Sequence, residues 1–305
     1  MSAELELFLQ QVLNGLTLGM VYALIALGYT MVYGVIQLIN FAHGEIFMVG
    51  AYLALSVIWF FSSLWAGAPA WIVLAALFVV SIVGSACLGA TVERVAYKPL
   101  RGSPKLAALI TSIGVSFFLQ NAVMLIYGSK EQSVPEIIPP VYFSRGVFSV
   151  SLIQAVIFGC SIGFMFFLTW FVKNTRTGKA MRATAENPDA ARLMGISVDG
   201  VIRTTFALGS GLAAVAGALF GLYYGSVNFH DGYLAGLKAF TAAVFGGIGS
   251  IPGAMLGGIL LGVFEGLGAG YISSSWKDVF AFVLLGVVLI FRPSGLFGEN
   301  LPDKV

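Results

Sequence analysis

Charge is what this sequence has least of. Only 10% of its 305 residues are Asp, Glu, Lys or Arg, while 58% are hydrophobic. An ordinary soluble domain is about one quarter charged. So few charges cannot furnish a water-facing surface for a chain of this length, and its mean hydropathy of +0.93 says the same. A soluble enzyme is excluded, and lipid becomes the natural solvent. Histidine and cysteine are equally scarce, two of each. His43 and His230 cannot supply a metal-ligand cluster. Cys87 and Cys160 each interrupt an apolar run, where they read as small packing residues. No Lys or Arg precedes Arg94. The basic region of a secretory signal is therefore missing, and the first apolar run is expected to stay as a membrane span. The net charge of +2 suggests no polyanionic partner such as nucleic acid. No Ser-His-Asp arrangement has motif support. Gly178-Lys179 is followed by Ala180 where a phosphate loop needs Ser or Thr. No catalytic residue, metal site or cofactor is assigned to this chain.

What the chain has instead is apolar runs of membrane length, about 20 residues each. They cover 8–33, 36–64, 70–92, 106–127, 150–172, 201–225, 237–250, 252–271 and 277–291. The seventh is too short to cross comfortably and reads as a broken or re-entrant segment. The expected fold is all-α: a polytopic membrane helix bundle of eight or nine spanning or broken helices, forming one transmembrane domain over 1–305. Two loops hold most of the positive charge, 93–105 and 173–203. By the positive-inside rule both face the cytoplasm. The loop 128–149, with Pro135, Pro139 and Pro140, then lies outside, and so does the N-terminus. Lys238 is expected to snorkel to an interface, and Gln120 and Asn121 to hydrogen-bond between helices.

Glycine is abundant, 38 residues. Gly15-x-x-x-Gly19 and Gly217-x-x-x-Gly221 read as close helix contacts, which small residues permit in lipid. Ile251-Pro252-Gly253 reads as a tight turn. A weak internal repeat is also present. Asn40-Phe-Ala-His-Gly44 resembles Asn228-Phe-His-Asp-Gly232, each following a Tyr-Gly pair, and the topology makes such a repeat an inverted one.

Two regions carry candidate functional residues. A continuous helix over 8–64 would measure about 85 Å at 1.5 Å per residue, so the chain must break, and Gly34–Gly44 is the expected place. Gln37, Asn40, His43 and Glu45 fall there, with Asn228 in the repeat. These residues either line a transport pathway or satisfy the broken backbone. Glu265, among glycines, is either paired inside the bundle or near a water-filled gap. The second region is 173–203. Asn187 can cap a helix that Pro188 and Asp189 begin. Ala190, Ala191, Arg192, Leu193 and Met194 continue it, and Gly195 ends it. A short amphipathic helix is expected here within 187–196. It either docks a partner or lies on lipid headgroups.

The stretches Asn14-Gly-Leu-Thr-Leu-Gly19, Tyr22 to Thr30, Ile39-Asn-Phe-Ala-His-Gly-Glu45, Glu93-Arg-Val-Ala-Tyr-Lys-Pro99 and Lys238 to Gly249 closely resemble the permeases of branched-chain amino acid ABC importers. The likeness extends over essentially the whole chain and points to the first of that system's two permeases. Asp189-Ala-Ala-x-x-x-Gly195 is similar to the Glu-Ala-Ala-x-x-x-Gly loop of such permeases, with Asp for Glu and without the Ile-x-Leu-Pro that often follows. The resemblance implies an inner-membrane importer subunit for Leu, Ile and Val, and assigns Glu186 to Gly195 to a coupling helix. It also implies partners: a second related permease, two ATPases that bind ATP and Mg, and a periplasmic binding protein. Relatives serving urea or short amides, and an ion-coupled transporter working alone, are the alternatives.

Overall fold

The computed structural model describes residues 3–297 apart from 66, 139–140, 146–147 and 293. Pro139 and Pro140 of the expected outer loop thus lie outside the described residues. Eight helices among these residues are long and apolar enough to cross a bilayer. They are α1 (Ala3–Ile36), α2 (His43–Leu64), α3 (Ala70–Val92), α4 (Lys105–Tyr127), α5 (Leu152–Asn174), α8 (Val198–Tyr224), α10 (Ile251–Tyr271) and α11 (Lys277–Phe291), the last reaching membrane length together with the 3-10 turn Ser274–Trp276 that leads into it. A π-helical turn, Glu93–Tyr97, prolongs α3. Three shorter helices complete the order: α6 (Arg176–Glu186), α7 (Pro188–Leu193) and α9 (Asp231–Gly246). The loops 93–105 and 173–203 meet at one end of the bundle, called here the basic face. At the opposite face, Gln132–Ser133 pairs antiparallel with Ser226–Val227, and Tyr142–Arg145 forms a hairpin with Phe148–Ser151.

The two helix breaks are built alike. Helix α1 stops at Gln37, whose φ of 52° is the one positive value among described non-glycine residues. Asn40 then accepts the Ala42 N–H on its side-chain oxygen at 3.1 Å, and its carbonyl accepts the His43 N–H at 3.1 Å. Helix α2 starts there. Helix α8 stops at Gly225, with φ of 69°. Asn228 accepts the His230 N–H on its side chain at 3.0 Å, and its carbonyl accepts the Asp231 N–H at 3.1 Å. Helix α9 starts there. Asn suits both positions because its side chain can imitate the next turn of backbone. The repeat seen faintly in the sequence is therefore structural.

Packing extends the repeat. Gly262 of α10 lies on Gly19 and the Gly15 carbonyl of α1, and Gly89 of α3 lies on Ser210 and the Phe206 carbonyl of α8. The same four-residue spacing recurs, with α1 matching α8 and α10 matching α3. Since α1 runs toward the basic face and α8 away from it, the repeat is inverted. Gly44 and Gly232 face each other where α2 and α9 begin, so close that a Cβ on Gly44 would overlap the Gly232 carbonyl oxygen. Helices α1, α2 and α8 form the core, around Leu24, Ile25, Phe47, Leu55, Ala216 and Leu219.

Some expectations need correction. The chain turns at Gly247–Ser250, with φ of 103° and 99° at Gly247 and Gly249, and Pro252 sits in the first turn of α10, where its missing N–H costs nothing. Asn121 bonds its own helix, to the Phe117 carbonyl. Cys87 is exposed on the outside of the bundle and not buried in its packing.

A Cβ added at Gly19 would sit 2.8 Å from the Gly258 carbonyl oxygen, whereas at Gly163 nothing lies within 4 Å. Gly19→Leu is expected to cost about 3 kcal/mol or more by forcing α1 from α10. Gly163→Leu should be neutral. Thermal unfolding in detergent measures both, and equal midpoints would contradict the α1–α10 contact.

Candidate functional site

Asn40, His43 and Glu45 are buried, each 2% exposed or less. The His43 ring fits into the space left by Gly28 and meets the Tyr29 ring edge-on at 4.6 Å. Glu45 accepts a hydrogen bond from Ser116 of α4 at 3.0 Å. Yet Tyr29 Oη, Asn40 Nδ2, His43 Nε2 and Glu45 Oε2 are buried without a protein partner. Four such groups around one helix break are costly to hold.

Helix α4 gives this region a polar wall. Ser112, Ser116 and Gln120 recur every four residues, on one helical face. Ser116 reaches Glu45, and Gln120 Nε2 lies 2.9 Å from His230 Nδ1 at the second break. At the basic end Tyr97 donates to Asn40 Oδ1 at 2.8 Å. His230 is exposed, and Gln120 lies about 10 Å inside the Tyr127 end of α4. An exposed imidazole bonded to a half-buried amide at that depth suits a hydrated pathway or a protein partner and not lipid. Sequence patterning singles out Asn228 but assigns no role to His230. The partner of His230, Gln120, comes from a distant helix, and only the Asn-Phe-His-Asp-Gly repeat hints at the position.

Glu265 lies apart from the breaks, in an ion cluster. Its Oε1 is 2.7 Å from Lys238 Nζ and 3.4 Å from Lys277 Nζ, and it accepts from Tyr22 at 3.3 Å. Lys238 also pairs with Asp278 at 2.6 Å. The expectation that Lys238 snorkels is therefore overturned. Helix α9 starts at Asp231 within the bundle, so residue 238 falls midway along it and finds carboxylates. A second buried carboxylate sits at the basic end: Glu93, fully buried and paired with Arg101 and, at 3.7 Å, Arg203. Asp199 joins this network through Lys98 at 2.7 Å and through Arg101.

The basic face carries the second candidate region. Asn187 caps α7, its Oδ1 accepting the N–H groups of Asp189 and Ala190 at 3.0 Å each. Arg192 pairs with Asp189 at 2.7 Å, and Gly195 ends the segment with φ of 80°. Ala191 is buried, whereas Leu193 and Met194 are 89% and 81% exposed. Helix α6 goes beyond the short helix expected in this loop. Thr175 caps it, accepting the Gly178 N–H at 3.0 Å, and that Thr-x-x-Gly start is its cue in the sequence. A cleft of about 740 Å³ joins this region to the first break, lined by Gln37, Leu38, Tyr97, Arg101, Pro188 and Asp189 among others.

Eight membrane-length apolar helices among the described residues, with paired helix breaks each turned on an asparagine, define a multi-pass membrane transport permease. The chain belongs to the family described as branched-chain amino acid transport system / permease component, whose model matches residues 11–289. It is 49% identical to the high-affinity branched-chain amino acid transport system permease protein BraD of Pseudomonas aeruginosa, over 99% of both chains. It is 47% identical to the corresponding LivH of Escherichia coli (strain K12), over the full length of both. No solved structure matches.

Removing Lys238 leaves Glu265 buried with a weaker partner. Lys238→Met is expected to destabilise by about 3–5 kcal/mol, and Lys238→Met with Glu265→Gln by much less, because the lone buried carboxylate is then neutral. Chemical unfolding in detergent compares the two. A double variant as unstable as the single one would show that the pair is not the relevant unit.

Proposed function

We propose that this chain is the permease of an ATP-driven ABC importer and forms part of the pathway for branched-chain amino acids (Leu, Ile, Val). The relatives' names support the substrate class. A second, related permease, two ATPases that hold ATP and Mg, and a periplasmic binding protein complete the assembly. The membrane is the bacterial inner membrane. Loops 93–105 and 173–203 face the cytoplasm, as their Lys and Arg content favours, and the N-terminus faces the periplasm.

One observation carries the mechanical part of this reading: a single cleft is lined by Pro188 and Asp189 of α7 and by Gln37 at the end of α1. A motor gripping α7 through Leu193 and Met194 acts on a segment adjoining the break. Ala191 is buried and so holds α7 to the permease, while the two exposed apolar side chains have nothing of their own chain to cover them. Gln37, with its left-handed backbone, is the joint at which a push on α6 and α7 reaches α1. From there it reaches Asn40, His43 and Glu45, which we assign with Asn228 and His230 to the pathway. Glu265 holds α9, α10 and α11 in register and stands back from that route.

Leu193→Asp with Met194→Asp should lower uptake and ATPase association more than tenfold while leaving the permease folded in the membrane. Co-purification of tagged permease with the ATPase, alongside vesicle uptake, reads this out; undiminished association would refute the docking role of α7. His230→Ala should lower uptake with ATPase association intact, and unchanged uptake would remove His230 from the pathway.

A further inference from the structure

On the outside of the bundle an apolar groove of about 460 Å³ runs between α3, α5 and α8. Its floor and sides are small residues one helical turn apart, Ala86 and Ala90 on α3 and Ala207 and Gly211 on α8, and Phe164 and Phe167 of α5 form the far wall. Polar groups enter only at one end, where Arg203 and Thr204 sit toward the basic face. The Thr204 hydroxyl is engaged by the Gly200 carbonyl of its own helix at 2.9 Å, which leaves Arg203 as the one charge beside the groove.

Three observations say what fills it. From Arg203 to Val215 the α8 side of the groove spans about 18 Å at 1.5 Å per residue, close to the roughly 15 Å of one bilayer leaflet's hydrocarbon. Trp170, 56% exposed, follows Phe167 on α5 and is the kind of residue that marks the headgroup level, and Lys173 lies one turn beyond it. The ion network around Arg203 is unbalanced: Glu93 and Asp199 face Lys98, Arg101 and Arg203, two negative charges against three positive. Arg203 reaches Glu93 only at 3.7 Å, and its side chain is 43% exposed. An apolar groove about one leaflet long, with an incompletely neutralised guanidinium at headgroup level, is complementary to an anionic amphiphile.

We propose that this groove binds one acyl chain of an anionic phospholipid, with the phosphate of its headgroup on Arg203. Apolar contact alone does not select a lipid, since bulk lipid tails are as apolar as the groove. The preference for negative charge comes from Arg203. Because Arg203 also leans on Glu93, the bound headgroup sits against the network that ties the end of α3 to the start of α8. The site is separate from the polar residues on α2, α4 and α9 proposed for the pathway, and it does not depend on which substrate crosses.

The experiment uses the full chain, purified with its co-purifying subunits and placed in vesicles of phosphatidylethanolamine and phosphatidylglycerol at three to one. The photo-crosslinker p-benzoylphenylalanine is placed at Phe167, which is exposed at the rim, and in a control at Leu125, which is 81% exposed on α4. Mass spectrometry identifies the adducts. Phosphatidylglycerol should be enriched over its bulk share at position 167 and not at 125. Arg203→Gln should lower the phosphatidylglycerol-to-phosphatidylethanolamine adduct ratio at position 167 about fivefold, the scale of one basic residue at an anionic surface, while Arg203→Lys should keep it. Adducts that mirror the bulk composition, enrichment that survives Arg203→Gln, or crosslinking of position 167 to another protein chain would each overturn the proposal.

Discussion

Backbone polar groups have no water to turn to inside hydrocarbon, and every interruption of a helix there must be satisfied by the protein itself. The architecture follows from how this chain meets that demand twice. Asn40 and Asn228 each accept an N–H on the side chain and another on the carbonyl, and so restart a helix within the bundle. Because α2 and α9 then begin at depth, their first turns must find room beside each other. Gly44 and Gly232 provide it by bringing backbone against backbone. The glycine contacts of α1 with α10, and of α3 with α8, hold the outer helices around that crossing.

A pair of helices starting at depth has consequences for polarity. The unpartnered atoms of Tyr29, Asn40, His43 and Glu45 gather where the two restarts meet, and the serines and glutamine of α4 line up with them. The ion clusters lie elsewhere: one around Glu265 on α10, one around Glu93 at the end of α3. Their buried carboxylates fix the ends of α10 and α3 against neighbours. The charges thus fasten the scaffold, while the polar groups without partners gather at the breaks.

Much of this architecture is legible in the order of the amino acids. Eight long spans, the short seventh segment, the break near Asn40 and the Asn187–Pro188 start of α7 all have local causes: run length, the limit on helix length in a bilayer, and capping chemistry. The Asn-Phe motif even announces the repeat. What escapes the sequence is tertiary. Lys238 looks like an interfacial lysine because its apolar run begins there, whereas α9 starts seven residues earlier and delivers it to Glu265 and Asp278. The Gln120–His230 contact joins residues 110 apart, and no periodicity in either segment points to the other. Ala191 and Leu193 look equivalent on a short amphipathic helix, yet one is buried and the other exposed. Only the packing of α7 decides which side chains are left for a partner.

The central claim is that the two breaks turned on Asn40 and Asn228 border one pathway that opens to the two faces in turn. The direct measurement is thiol accessibility in sealed vesicles containing the assembled transporter. Single cysteines at positions 40 and 230, in a background with Cys87 and Cys160 replaced by Ser, are probed with an impermeant reagent added from one side at a time. The account predicts that the residue at 40 reacts from the basic face and the residue at 230 from the opposite face, and that ATP trapping shifts the two reactivities in opposite directions. Protection of both positions from both sides, in every nucleotide state, would contradict it.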